Sequence, residues 1–370
     1  MPCYNTVENW VKKLGLSVYK DDKDACGKKR KFAEVIDESI FINKEKLLLL
    51  LGIPADHQGR PLKHEDVTVL RMEAGSQFTG EDVCRMIEQT SMEVGQSPEY
   101  IISDQGHNLS SGIKKAGIPH HTDISHSMGN ALKHCYGKES DFNEFTALLG
   151  KVRLQYHLTD KAFLLPPNMR AICRFMNASE WVDWAYRMLA VFDTLSDNLR
   201  EAYRFLLDYK ELIDELHISV DAIRHIEDVC KNEGLCFRTY NLCKDHIIRH
   251  VIGNARPRRA KLGIEMLDYL DKQKALLTDC TRNDNISSDI IESGFGVFKL
   301  KKSPNKLFGI TPFVLFIPLY SKIKNDNASN TFNFKERLVN VKLKDIDAYA
   351  VEHLSKNWVT ERTKILRQTG

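Results

Sequence analysis

The chain has 370 residues, 42% of them hydrophobic and 28% charged, with a formal net charge of +3. That length holds one large domain or two ordinary ones and enough apolar material for a real core. The near-neutral balance excludes wholesale attraction to a polyanion, so any such binding has to come from local patches.

Residues 5–15, NTVENWVKKLG, place Val7, Trp10, Val11 and Leu14 at helical spacing, with Asn5 or Thr6 as cap and Gly15 as stop. Two readings of this helix stand side by side. It is the last helix of a helix-turn-helix whose partners lie upstream, or a linker helix packed on the main body. Residues 20–31 are polar and charged and read as a linker. KFAEVIDESIFI (31–42), KLLLLLGIP (46–54) and VTVLRME (67–73) are β-rich, with compact connections that suit antiparallel pairing. Residues 79–94 form a helix capped by Thr79, with Val83, Met86, Ile87 and Thr90 on one face. YIIS (100–103) is a short buried strand reached through a helix, and so parallel to the first. A short helix follows at 108–117, closing on Gly117. PHHTDIS (119–125) is a fifth strand, and 127–137 begin another helix.

From 141 to 285 the strand signals give way to helical periodicity. Leu199, Tyr203, Leu206, Ile213 and Leu216 keep one face, and 169–192 carry Trp181 and Trp184 in a stripe that reads as core. Residues 287–302, SSDIIESGFGVFKLKK, form a helix capped by Ser287 or Ser288 that returns to the sheet. The expected fold class is therefore α/β: an RNase H-like mixed five-stranded sheet interrupted by a large all-α insertion. Its parts are an N-terminal segment (1–30), the first part of the core (31–140), the insertion (141–285), the final core helix and return (286–325) and a tail with a helix (326–370).

Asp37 lies inside a strand among Val35, Ile36 and Ile40. A charge there is costly unless it is paired or binds a metal. In the expected sheet the strand ending at Asp104 lies beside the first strand, so two carboxylates meet and repel. A divalent cation relieves that conflict, and hard oxygen ligands suit Mg²⁺ or Mn²⁺. A third carboxylate is expected from the helix packed over these strands. Glu292 is the candidate, with Ile290, Ile291, Phe295 and Phe298 as that helix's apolar side. Asp289, one turn earlier, is the alternative, better suited to the helix dipole. Gly294 and Gly296 are weak helix formers that fit a close approach by another backbone or a DNA strand. Three carboxylates can hold two ions ~3.5–4 Å apart, an arrangement suited to phosphodiester hydrolysis and strand transfer.

On VIDES, ISDQG and SDIIESGFGVFK, with Asp37, Asp104 and Glu292 in that order, the chain resembles a DDE transposase of the RNase H-like, retroviral-integrase superfamily. The likeness covers roughly residues 31–320 in layout. The interval between Asp104 and Glu292 is far longer than in compact integrases. It resembles the members whose core is interrupted by a helical insertion. The resemblance implies a metal-dependent enzyme that cleaves DNA strands and transfers a 3′-OH to a second DNA during transposition of a mobile element. Two Mg²⁺ or Mn²⁺ ions are then its cofactors, transposon ends and target DNA its partners, and a homo-oligomer its working state. It also implies that a polar motif near HHTDISHSMGN supports the site, which singles out His121, Asp123 and His126. Asp123 is there either a further metal ligand or a solvated side chain, and His126 either site support or a helix cap; a His₂-Asp zinc site is a third arrangement.

Positive charge for DNA is expected from Arg256, Arg258 and Arg259 in the insertion and from Lys299, Lys301 and Lys302 at the end of the Glu292 helix. Lys28-Lys29-Arg30-Lys31 form a further run, and any single run reads first as a solvated face. The nine cysteines make no disulfide or paired zinc pattern; Cys230, Cys236, Cys243 and His246 come nearest and read as buried thiols in a helical segment. A reducing, cytoplasmic, nucleoid-associated setting is expected, without signal peptide or membrane span. The abbreviated N-terminal segment keeps one alternative open: a truncated or inactive transposase derivative that binds DNA without catalysis. An RNase H-like nuclease and a purely helical interaction protein are further alternatives, opposed by the large insertion and by the β-rich first third.

Overall fold

A strand that is apolar at every position has to be covered on both faces. From Leu47 on, β2 (Glu45–Pro54) is such a strand, and Leu47 to Leu51 are all buried. It pairs antiparallel with β1 (Phe32–Ile42) on one side and with β3 (Thr68–Gly75) on the other. In this computed structural model the described residues are 1–25, 31–42, 45–169, 175–253, 255–279, 281–301, 309–323, 332–355 and 358–368. The run Lys28-Lys29-Arg30, Lys302 and Lys306 lie outside them.

The chain divides into two units, residues 1–123 with 282–370 and residues 124–281. In the first, α1 (Tyr4–Ala25) precedes β1, and α2 (Gly80–Val94) follows β3. The Thr79 hydroxyl accepts the Asp82 N–H while the Asp82 carboxylate accepts the Thr79 N–H, the reciprocal cap expected at that start. β4 (Ile101–Ser103), α3 (His107–Ala116) and β5 (His120–Thr122) follow. Gly117 ends α3 in the left-handed region at φ 71°. The five strands form one mixed sheet in the order β3-β2-β1-β4-β5, with β4 parallel to β1 and β5 parallel to β4.

Alternation assigns the faces. Phe32, Ile36, Leu48, Leu50 and Ile101 pack with Val83, Met86 and Ile87 of α2 and Leu109 and Ile113 of α3. Val35, Leu47, Leu49, Leu51 and Ile102 pack on the opposite face, which is covered by α1, by α12 and by the segments after it.

The second unit is helical: α4 (Ile124–Tyr136), α5 (Ser140–Tyr156), α6 (Ala178–Val191), α7 (Asp197–Tyr203), α8 (Phe205–Asp208), α9 (Lys210–Glu233), α10 (Phe237–His246) and α11 (Pro257–Lys274). A π-helical turn, Ile247–Ile252, joins the last two. Trp181 is 1% exposed, edge-on to Phe142, and Trp184 donates its indole N–H to the Leu164 carbonyl, so both serve packing. The apolar face running from Leu199 to Leu216 persists, but breaks at Arg204 and Tyr209 divide it among α7, α8 and α9. The division between the units falls after Asp123, so α4 groups with these helices.

The chain returns to the sheet unit in α12 (Asp289–Lys301), followed by a 3₁₀ turn (Pro312–Leu315), α13 (Phe316–Ile323), α14 (Phe334–Asn340), α15 (Leu343–His353) and α16 (Trp358–Gln368). No helix of the described residues is long and apolar enough to cross a membrane.

The N-terminal helix departs from expectation in two ways. It continues through Gly15 and through the polar stretch up to Ala25, where composition reads as a linker. Its Leu14, Leu16, Val18 and Tyr19 are buried against the sheet unit, which favours the packed-helix reading. Gly15 is no stop signal. A Cβ there would lie 2.0 Å from the Leu315 carbonyl oxygen, so glycine is what lets the helix approach the 3₁₀ turn.

Candidate active site

The parallel register pairs Glu34 with Ile101 and Val35 with Ile102. Carried two residues on, it sets Asp37 level with Asp104, just past the end of β4, where β1 runs on paired with β2 alone. Val35 and Ile102 both belong to the face covered by α12, so their i+2 neighbours Asp37 and Asp104 lie on that face too. Both aspartates are half-buried. Asp37 Oδ1 accepts the Glu38 N–H at 2.7 Å, and Asp104 Oδ1 accepts the Gly106 N–H at 2.8 Å. The second bond closes an Asx turn that ends the strand and opens α3. Gly106 is tight against the same carboxylate: a Cβ there would be 2.8 Å from Asp104 Oδ1.

Glu292 is exposed in the first turn of α12, whose Ile290, Ile291, Phe295 and Phe298 are buried in the sheet's core. The helix touches β1, and Lys299 Nζ reaches the Ser39 hydroxyl at 2.6 Å. Glu292 and Lys299 are two turns apart on one side of α12, and Asp37 and Ser39 are alternate residues on one side of β1. Gly294 and Gly296 meet no described backbone: a Cβ on either would have open space around it.

What places α12 is a buried polar network that the sequence reading touched at one end. His121 is 0% exposed, and its Nε2 lies 3.1 Å from Asp284 Oδ2. Arg282 donates to Asp284 Oδ1 at 2.6 Å and to Glu99 at 2.9 Å. Tyr100 donates its hydroxyl to the Ala55 carbonyl and accepts the Asn285 N–H. Burial and the neighbouring Asp284 charge push the Tyr100 phenol up, so it remains protonated and able to donate. Asp123 is 1% exposed and accepts the Ser288 N–H at 2.7 Å, the residue before α12 begins. Asp123 is thus neither solvated nor turned to water; it fixes the start of the helix that carries Glu292. His126 stands inside the first turn of α4, half-buried, in the helical unit.

Several neighbours were not singled out from the sequence. Glu38 follows Asp37 and points to the other face, where Asn108 of α3 donates to it and Lys46 pairs with it. Ser103 donates to the Asp104 carbonyl and sits 2.8 Å from His120 Nε2. Burial, with His121 beside it, lowers the His120 pKa to about 4, against the opposing pull of Asp104. The signal available was adjacency to the acids, Glu38 next to Asp37 and Ser103, the last residue of β4, next to Asp104.

The basic residues differ sharply in what they do. Arg258 is half-buried and holds Asp141 of α5 and Glu215 of α9, with its guanidinium over the Tyr136 ring. Its charge is therefore engaged inside the helical unit, where a DNA contact was expected. Arg256 is exposed and pairs with Glu211, while Arg259 donates to the Val251 carbonyl. Lys299 and Lys301 are exposed on α12. No protein-family model matches the sequence, and no curated protein is significantly similar to it.

Proposed function

We propose that the chain is a DDE transposase with an RNase H-like core, one that cleaves DNA strands and transfers them through metal-dependent phosphodiester chemistry. One observation carries this reading. Asp104 follows the end of β4 and lies level with Asp37 of the adjacent parallel β1, on the face covered by the helix that bears Glu292. The order of the sheet supports it, with three antiparallel strands first and two parallel strands added beyond β1.

The donor set fits the expected ions. Three carboxylates with no thiol or imidazole among them suit Mg²⁺ or Mn²⁺, and Asp37, Asp104 and Glu292 are the residues that would hold two such ions. Bound there, the ions supply an activated oxygen nucleophile and stabilisation of the leaving oxygen. The rest is done by this chain's own groups. The Gly106 and Glu38 amides fix one oxygen of each aspartate. Asp123 and the Arg282–Asp284–His121 network hold the start of α12. Lys299 offers charge to a phosphate backbone on the side of α12 that carries Glu292, where the exposed Gly296 leaves room, and Lys301 adds charge at the helix end. DNA ends and target are the partners of this reading, with homo-oligomers as the working assembly.

The test is nicking of supercoiled plasmid by the full chain with Mn²⁺, compared with Asp37→Asn, Asp104→Asn and Glu292→Gln. The expected result is a metal-dependent nick lost roughly a thousandfold or more in each variant, because several kcal/mol of transition-state stabilisation go with the ions. Circular dichroism stays unchanged. Nicking that survives all three substitutions, or that needs no metal, overturns the triad and leaves a DNA-binding derivative without catalysis as the better account.

A further inference from the structure

The pairing of β1 with β4 ends at Val35 and Ile102, so Asp37 and Asp104 both lie two residues beyond the last paired positions. Carboxylates held level there repel each other, and the ladder no longer keeps the segments that carry them from parting. A side-chain clamp takes over where the ladder stops. Asn108, in the first turn of α3, donates from Nδ2 to Glu38 Oε2 at 3.2 Å, and Lys46 of β2 pairs with Glu38 Oε1. Glu38 is paired with Leu48, which makes Lys46 its diagonal neighbour across the strands. All three side chains are half-buried, where bonds to a charged group are stronger than in open water.

The two ends of the clamp are the segments that hold the aspartates. The Glu38 N–H donates to Asp37 Oδ1 at 2.7 Å. The Gly106 N–H, two residues before Asn108, donates to Asp104 Oδ1 at 2.8 Å. The Gly106 turn is tight: a Cβ there would lie 2.8 Å from Asp104 Oδ1 and 3.3 Å from Asn108 Oδ1. One glycine is thus flanked by the Asp104 carboxylate and by the Asn108 side chain, whose amide nitrogen reaches Glu38. A shift of α3 away from β1 therefore carries Asp104 away from Asp37. Glu38 does not itself face the aspartates. It shares the face of Leu48 and Leu50, opposite to that of Asp37.

We propose that Glu38 and Asn108 are positioning residues that set the separation of Asp37 and Asp104, and with it the affinity for divalent ions, a role that rests on the reading of these aspartates as ion ligands. Ligands fixed before the ion arrives bind it more tightly than ligands that must first be gathered against their own repulsion. Outer partners that orient ligands in this way are worth about ten- to a hundredfold in metal affinity.

The experiment measures Mn²⁺ binding to the full chain by calorimetry, with plasmid nicking followed against Mn²⁺ concentration beside it. Asn108→Ala removes the donor without changing the charge. The double variant Glu38→Gln with Asn108→Asp exchanges donor and acceptor at constant net charge. Asp37→Asn is the ligand control, and circular dichroism checks that each protein is folded. Asn108→Ala is expected to bind Mn²⁺ about tenfold more weakly and to need about tenfold more of it for half-maximal nicking, with the plateau rate largely kept. The exchanged pair recovers most of that affinity. The calorimetry tests the clamp whether or not nicking is seen. Wild-type affinity in Asn108→Ala overturns the clamp and leaves the triad standing, as does a loss that the exchanged pair fails to recover. A wild type that takes up no Mn²⁺, or an Asp37→Asn that binds it equally well, overturns the ion reading itself, and the clamp falls with it.

Discussion

Glu34 and Asp37 are carboxylates three residues apart on β1, and that spacing sends them to opposite faces of the sheet. Glu34 shares the face of Phe32 and Ile36, under α2 and α3, and is 0% exposed with both oxygens lacking a hydrogen-bond partner. Burial pushes its pKa up to about 8, against the pull of Arg71. Asp37 faces α12 past the end of β4, where β2 alone flanks β1; it is half-buried, with a backbone amide on one oxygen. Where β1 is flanked by strands on both sides and covered by helices, it takes a carboxyl as a neutral acid. Past the end of β4 the half-buried Asp37 and Asp104 stand level with each other and partly in solvent. Candidate sites at the carboxyl ends of parallel strands follow from that difference in solvation.

The sharpest way to break this comparison is to titrate it. Below about pH 4.5 the folded and unfolded chains both hold the Glu34 proton, and its contribution to stability is fully present. Between there and about pH 8 the unfolded chain ionises while the folded one does not, so stability falls with rising pH. The slope from this group approaches about 1.4 kcal/mol per pH unit, and above the folded pKa the loss is complete. Glu34→Gln removes the titration. Urea denaturation at pH 5 and pH 8 is expected to show the variant gaining several kcal/mol on wild type at the higher pH. Parallel pH profiles for the two proteins would mean that Glu34 is ionised in the fold and that the two positions on β1 do not differ in solvation.

The next effect is steric and tests how α1 joins the sheet unit. In an open helix interior, Gly→Ala stabilises by roughly 0.5–1 kcal/mol. At Gly15 the sign reverses, because the new methyl would meet the Leu315 carbonyl oxygen at 2.0 Å. Gly15→Ala is expected to cost about 1–3 kcal/mol in thermal or urea unfolding. A stabilised variant would show that α1 stands away from the 3₁₀ turn.

These two positions also mark what the sequence reveals. The strands, the Thr79 cap, the Gly117 stop and the helix carrying Glu292 all rest on local signals: alternation, capping chemistry and apolar periodicity. Their register partners follow because each slip would turn Val35 or Ile102 to the wrong face. Gly15 shows the limit. As a letter it is a helix stop, and only the three-dimensional approach of Leu315 makes it a packing residue. Asp284 and Arg282 show the same limit from the other side. They lie in a polar stretch that reads as loop, and their value comes from His121, Glu99 and Tyr100, all distant in sequence. Arg258 sits in a basic run that reads as a nucleic-acid patch, yet its partners Asp141 and Glu215 come from other helices.

A smaller effect is expected at Asp123. Its carboxylate caps the Ser288 N–H, so Asp123→Ala removes an N-terminal acceptor from α12. The expected cost is about 0.5–2 kcal/mol. Under the strand-transfer reading, nicking falls while Mn²⁺ affinity measured by calorimetry is largely kept, since Asp123 positions Glu292 from outside the ion's ligand set. Loss of Mn²⁺ binding on the scale of Asp104→Asn would make Asp123 a ligand instead.

The smallest change in stability separates the two kinds of basic residue. Lys299 is exposed and its contact with the Ser39 hydroxyl is a surface one, so Lys299→Ala is expected to change stability by less than about 0.5 kcal/mol. Arg258→Ala, by contrast, leaves the buried Glu215 without its guanidinium and lowers stability by several times as much. DNA binding is expected to reverse that order. Lys299→Ala weakens binding to any duplex and lowers the slope of log K against log salt by about one phosphate contact, whereas Arg258→Ala leaves the slope in place. The measurement is fluorescence anisotropy on a short labelled duplex across a salt series, with folding checked by circular dichroism. A slope that drops in Arg258→Ala and holds in Lys299→Ala would move the DNA path from α12 to α11.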